Sequence, residues 1–146
     1  MRRKLLSLLT VPLTVAALAF IGTGTAEAYS GPHYWMYTDD DNPGGKVEFW
    51  PDGDIFKVCD IQADGAHVHV VLYDIETYKS YDITATGDGN CTTRRANDGA
   101  QYDMPERGRN QGCISVNIRL WKGHSYVDGS EDKANWWNDN NTKDDC

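Results

Sequence analysis

Polar and apolar positions alternate most strictly over 113–121, where Ile114, Val116, Ile118 and Leu120 interleave with Ser115, Asn117, Arg119 and Trp121. Neighbouring side chains of a strand point to opposite faces, so this period of two predicts a strand with one buried face. The same period runs through 66–73: Ala66, Val68, Val70 and Leu72 share one side, and His67, His69, Val71 and Tyr73 the other. Residues 78–86 read as a strand with Tyr81, Ile83 and Ala85 inward. Shorter β-rich runs at 46–50, 55–59 and 91–95 predict three more strands. The last of these is expected at a sheet edge, because Arg94 and Arg95 discourage further pairing. A short strand is expected at 124–127. Pro51-Asp52-Gly53-Asp54, Asp64-Gly65, Gly87-Asp88-Gly89-Asn90 and Lys122-Gly123 mark turns between them. No segment carries a convincing amphipathic helix, although 131–137 has room for a helical turn or two. Short strands joined by Gly/Asp turns imply an all-β fold, an antiparallel two-sheet β-sandwich or a small barrel, with the sandwich preferred.

The two ends break this pattern. Residues 1–28 begin Met-Arg-Arg-Lys, continue through an apolar run from Leu5 to Ile21, and close on Ala26-Glu27-Ala28. That is the signature of a signal peptide cut before Tyr29, and Pro12 and Gly22 interrupt it as a membrane span. Residues 29–44 hold two Pro, two Gly, the run Asp39-Asp40-Asp41 and the aromatics Tyr34, Trp35 and Tyr37, with no clear period. They read as a flexible arm ahead of a single domain at 45–146, whose Asn-rich tail carries Trp136-Trp137 and ends at Cys146.

Export changes how the cysteines are read. All four, Cys59, Cys91, Cys113 and Cys146, follow the leader. An even number in a small exported chain implies two disulfides, with three pairings open. Cys59–Cys91 with Cys113–Cys146 is the preferred pairing, since its second bridge would staple the tail to the core. No C-x-x-C spacing supports zinc. The formal charge is −8, and about −10 once the leader's Arg2, Arg3, Lys4 and Glu27 are removed. A field of that sign repels nucleic acid and anionic membrane.

Catalytic motifs are absent. No G-x-S-x-G flanks any serine, and acidic residues are so many that a carboxylate pair carries no information. His67-Val68-His69 places two imidazoles on one strand face, which suits a transition metal as well as a plain exposed face. Asp128, Ser130 and Asp132 begin like a calcium loop, but Lys133 stands where its Gly belongs. No metal or other cofactor is expected. The aromatics are more telling: five Trp and eight Tyr stand against three Phe. Trp and Tyr give large contact area at low entropy cost. Tyr34, Trp35, Tyr37, Trp136 and Trp137 therefore read as partner anchors or sugar platforms, unless arm and tail fold back over the sheets.

Gly44-Gly45-Lys46-Val47-Glu48-Phe49, Gly53-Asp54-Ile55-Phe56-Lys57-Val58-Cys59-Asp60, Ala63-Asp64-Gly65 and Gly87-Asp88-Gly89-Asn90-Cys91 together resemble small exported β-sandwich proteins of filamentous actinobacteria. Within that group the chain is similar to the adaptor subunits of umbrella toxin particles. The resemblance spans 44–121 and rests on turns and strands; the Trp/Asn tail falls outside it. It implies a non-catalytic adaptor between a lectin subunit and a large repeat-containing toxin, with an N-terminal segment that enters a cleft of the lectin. The partner-binding residues would then be Tyr34, Trp35, Tyr37, Asp39, Asp40 and Asp41. Two other readings stand beside it. One is a protease inhibitor that presents Arg107 or Arg109 from the Met104-Pro105-Glu106-Arg107-Gly108-Arg109 loop. The other is a carbohydrate-binding module that stacks sugars on Trp121, Trp136 or Trp137.

Overall fold

A computed structural model describes residues 29–108 and 111–146. The signal-peptide expectation for 1–28 lies outside the described residues. Nine strands follow in order: β1 Tyr34–Tyr37, β2 Gly45–Trp50, β3 Ile55–Asp60, β4 His67–Asp74, β5 Lys79–Thr86, β6 Cys91–Arg94, β7 Cys113–Lys122, β8 Ser125–Tyr126 and β9 Asp132–Trp137. One sheet runs β1-β2-β3-β6; the other runs β5-β4-β7, with β8 and β9 both paired to β7. All pairings are antiparallel, and the two sheets pack face to face. The strand expected at 91–95 is β6, at a sheet edge as read.

The alternating residues fill the space between the sheets. Val47, Phe49, Phe56 and Val58 come from the first sheet; Val68, Val70, Leu72, Ile83, Ile114, Val116 and Ile118 come from the second. Phe49 and Phe56 stack with ring centroids 4.2 Å apart. Gly45 enters this core without a side chain: a Cβ there would lie 2.9 Å from both Val68 methyl carbons.

Two elements differ from the sequence expectation. Tyr34–Tyr37 is an ordered strand rather than part of a flexible arm, paired residue for residue with β2. Tyr34 is 1% exposed and Met36 is buried, whereas Trp35 and Tyr37 point to solvent. The alternation is present, but Tyr-Trp-Met-Tyr hides it, because all four side chains are large and mostly apolar. The tail is likewise not loose, and 131–137 makes a strand and no helix. In β9, Ala134 and Trp136 face the core, and Trp136 is 4% exposed, stacked on Tyr34 at 5.4 Å.

Both disulfides have the preferred pairing, Cys59–Cys91 and Cys113–Cys146, and no cysteine is free. Two bridges with no free thiol fit an oxidising compartment. No helix among the described residues is long and apolar enough to cross a membrane. Cys59–Cys91 crosses directly between β3 and β6. Cys113–Cys146 ties the last residue to the start of β7.

A buried polar knot closes the end of the sandwich near the β2–β3 turn. Asp54 is 3% exposed, and its carboxyl accepts from the Met104 amide at 2.9 Å and from Asn138 Nδ2 at 2.7 Å. Burial pushes its pKa up to about 6, against the pull of those two donors. The folded state therefore binds this proton more tightly than the unfolded chain. Its stabilising effect is fully present below about pH 4 and is lost as pH rises through about 6. The difference amounts to about 3 kcal/mol at most. Urea melts should give an Asp54-dependent loss of stability between pH 4 and 7. Asp139, held down to about 2 by the Asn141 amide and the Thr142 hydroxyl, acts in the opposite direction only at lower pH, whereas Glu106, raised by burial, adds to the Asp54 slope and His33 and His69, lowered by burial, oppose it. Asp54→Asn should remove the Asp54 share of the pH 4–7 dependence, the largest single part; a variant whose pH dependence matches wild type would show that other groups carry it.

Candidate functional site

The outward face of the first sheet begins at its edge strand. Trp35 is 51% exposed and Tyr37 41%. Registered pairing sets Trp35 beside Glu48, Glu48 beside Lys57 and Lys57 beside Thr93, all on one face. The next outward row is Tyr37, Lys46 and the Cys59–Cys91 bridge. Glu48 is the centre of this face. Its carboxylate lies 2.8 Å from Lys46 Nζ, 3.3 Å from His33 Nε2 and 3.9 Å from Lys57 Nζ. Lys46 also lies over the Tyr37 ring, 5.7 Å from its centroid.

Aromatic rings frame the face at the other end. His33 stacks on Trp50 at 4.3 Å and 5°, and Tyr29 packs on the same indole at 4.5 Å. Burial lowers the His33 pKa, partly offset by Glu48, so the ring favours the neutral form. The C-terminal segment completes the frame. Tyr34 Oη donates to the Asp144 carbonyl at 3.1 Å, and Lys143 Nζ sits 3.8 Å from the centre of the Trp35 ring.

Beyond Tyr37 the charge changes sign. Asp39, Asp40, Asp41, Asn42, Gln62, Asp128 and Gly129 line an open cavity of about 490 Å³. Its backbone is pinned. Thr38 Oγ1 accepts from the Gly44 and Gly45 amides, each at 3.1 Å; the Asp39 amide donates to the Ser130 carbonyl; Gln62 Nε2 donates to the Asn42 carbonyl at 2.7 Å. Asp40 Oδ1 has no hydrogen-bond partner among the described residues. No group of three or more His, Cys, Asp or Glu among the described residues is arranged to hold a metal ion. Ser130, second in the calcium-like run, is buried, with its hydroxyl bonded to Val127 O and Leu120 N.

The partner residues read from sequence thus separate into three groups. Trp35 and Tyr37 lie on the aromatic face, Asp39, Asp40 and Asp41 line the cavity beside it, and Tyr34 belongs to the core. Sequence reasoning missed Lys46, Glu48, Lys57, His33 and Lys143 as neighbours of the aromatics. The outward period Lys46, Glu48, Trp50 was visible, but the strand that brings Trp35 and Tyr37 beside it was not.

The residues behind the other readings have structural tasks. Arg107 Nη1 is 2.8 Å from Asp144 and 3.1 Å from Asp139, its guanidinium lies 4.7 Å over Trp137, and Met104 is buried. A loop whose Arg107 is tied to the tail by Asp139, Asp144 and Trp137 is a poor fit to a protease pocket; Arg109 lies outside the described residues. Trp136 is core and Trp137 lies under Arg107, so neither offers an open ring for a sugar. His67 and His69 do share one outward face, with His69 3.9 Å from Asp82 and edge-on to Trp121 at 5.9 Å.

Comparison with protein-family models, curated proteins and solved structures finds no match to this chain.

Proposed function

We propose that this chain is a non-catalytic, secreted protein-binding adaptor, and that the face around Trp35 and Tyr37 holds one of its partners. The observation that carries this reading is an exposed Trp–Tyr pair on an ordered edge strand of a disulfide-stapled sandwich. Rigid aromatic side chains at a surface give binding energy with little ordering cost. Fixed on a strand, they present their rings without the entropy loss of a free arm. The Asp39–Asp41 cavity adjoins the same face and would extend it. The lectin and repeat-containing toxin implied by the sequence resemblance are the partners to test first, with the lectin assigned to this face. An ordered β1 replaces the flexible segment expected to enter the lectin.

Affinity capture from culture supernatant with C-terminally tagged protein tests the role. Wild type should retain a lectin and a large repeat protein. Trp35→Ala/Tyr37→Ala should lose one of them by tenfold or more at an unchanged melting temperature, and keep the other. Equal capture by the double variant would place the interface elsewhere; capture of a single protease would favour the inhibitor reading.

A further inference from the structure

We infer that the partner segment seated on Trp35 and Tyr37 is acidic, an inference that rests on the binding role proposed for this face. The chain as a whole is strongly acidic, with a formal charge of −8. The outward face of the first sheet has the opposite sign. Lys46 and Lys57 rise from β2 and β3, and Lys143 reaches over from the tail. The one carboxylate in the outward rows is Glu48, whose side chain is 11% exposed and already has Lys46 and Lys57 against it. One carboxylate between two ammonium groups leaves a surplus of positive charge.

Lys143 adds to that surplus. Among the described residues its ammonium makes no ion pair and lies instead on the Trp35 ring at 3.8 Å. A ring face attracts a cation without neutralising it, so a carboxylate can still approach from the solvent side. Three lysines around two exposed aromatics therefore match a segment with Asp or Glu carboxylates and apolar stems. Like charges across an interface disfavour wrong partners, and the lysines disfavour a basic segment here. Asp39, Asp40 and Asp41 sit just past Tyr37 and repel further acids, which orients the segment: its carboxylates lie on the Trp35 side.

The probe is poly-L-glutamate, titrated at low salt against the full chain, with poly-L-lysine and heparin as comparisons and tryptophan fluorescence as the readout. Poly-L-glutamate should bind and change the tryptophan fluorescence. Lys57→Glu/Lys143→Glu should weaken it by about tenfold or more while the protein remains folded at the assay temperature, and added salt should weaken it in the wild type. Absence of poly-L-glutamate binding, or an unchanged affinity in the charge-reversal variant, would overturn the inference; poly-L-lysine reports the acidic field of the whole chain and serves only as the reference for it. Tighter binding of heparin would replace the acidic protein segment with a sulfated glycan. The capture assay separates the two levels. If Trp35→Ala/Tyr37→Ala loses the partner and Lys57→Glu/Lys143→Glu keeps it, the binding role stands and the acidic segment falls. If neither variant changes capture, both fall.

Discussion

Deleting residues 29–42 is expected to unfold the domain rather than to leave a folded core short of one binding surface. The segment contributes β1, which supplies a complete edge to the first sheet. It carries Tyr34, 1% exposed, together with buried Met36 and Thr38. Tyr34 packs on Phe49 at 5.9 Å and on Trp136 at 5.4 Å, so it joins the two sheets through their largest rings. Large-to-small changes at such positions cost about 2–5 kcal/mol each. Losing Tyr34 and Met36 together therefore approaches the whole stability of a small domain, about 5–15 kcal/mol. Loss of the Thr38 hydroxyl would also leave the Gly44 and Gly45 amides without their shared acceptor. Point variants resolve the two roles within one strand. Tyr34→Ala should lower stability in urea by about 3–5 kcal/mol. Trp35→Ala, one residue on, should change it by less than about 1 kcal/mol, as is usual for an exposed side chain. A folded, cooperative 29–42 deletion would show that β1 is an appended peptide and not part of the sandwich.

The contrast between Tyr34 and Trp35 also explains what the sequence could reveal. Strands β5 and β7 were legible because apolar residues alternate there with Ser, Thr, Asn, Asp and Arg, and β4 because Val68, Val70 and Leu72 recur every second residue from His67 onward. β1 alternates just as strictly in space, but all of its side chains are apolar or aromatic, and hydropathy cannot tell the inner ring from the outer. β9 fails for a different reason: only Ala134 and Trp136 face inward, between Asp132, Lys133 and Asn135, and two positions do not establish a period. Both misread strands lie at the sides of the sheets, where cross-sheet packing rather than local pattern decides the outcome. The acidic run and the exposed aromatics were visible as composition. The lysine-framed face was not, because it depends on the register that sets Trp35 against Glu48 and Glu48 against Lys57. The tail was still harder to place, since Lys143 meets Trp35 only through the closure made by Cys146.

Removing that closure should be the most damaging change outside the core. Cys113 and Cys146 are 33 residues apart in sequence. Restriction of an unfolded loop of that length is worth about 4 kcal/mol in the chain-entropy account. The native contacts secured by the bridge add to this. The tail runs along the outer edge of β9 through the Trp136–Asp145 bridge, the Trp137 amide to Asp144 O and the Cys146 amide to Asn135 O. It also brings Asp144 to Tyr34 and to Arg107, and Lys143 to Trp35. Cys113→Ser/Cys146→Ser should therefore destabilise the protein by about 3–5 kcal/mol in denaturant. Amides of β9 should exchange faster, and the uncovered edge should promote association at high concentration. Because Lys143 would leave Trp35, the same variant should bind poly-L-glutamate more weakly even under conditions where it remains folded. Unchanged exchange in β9 would mean that the tail is held by Trp136 and Arg107 alone, with the disulfide only recording a proximity that packing already enforces.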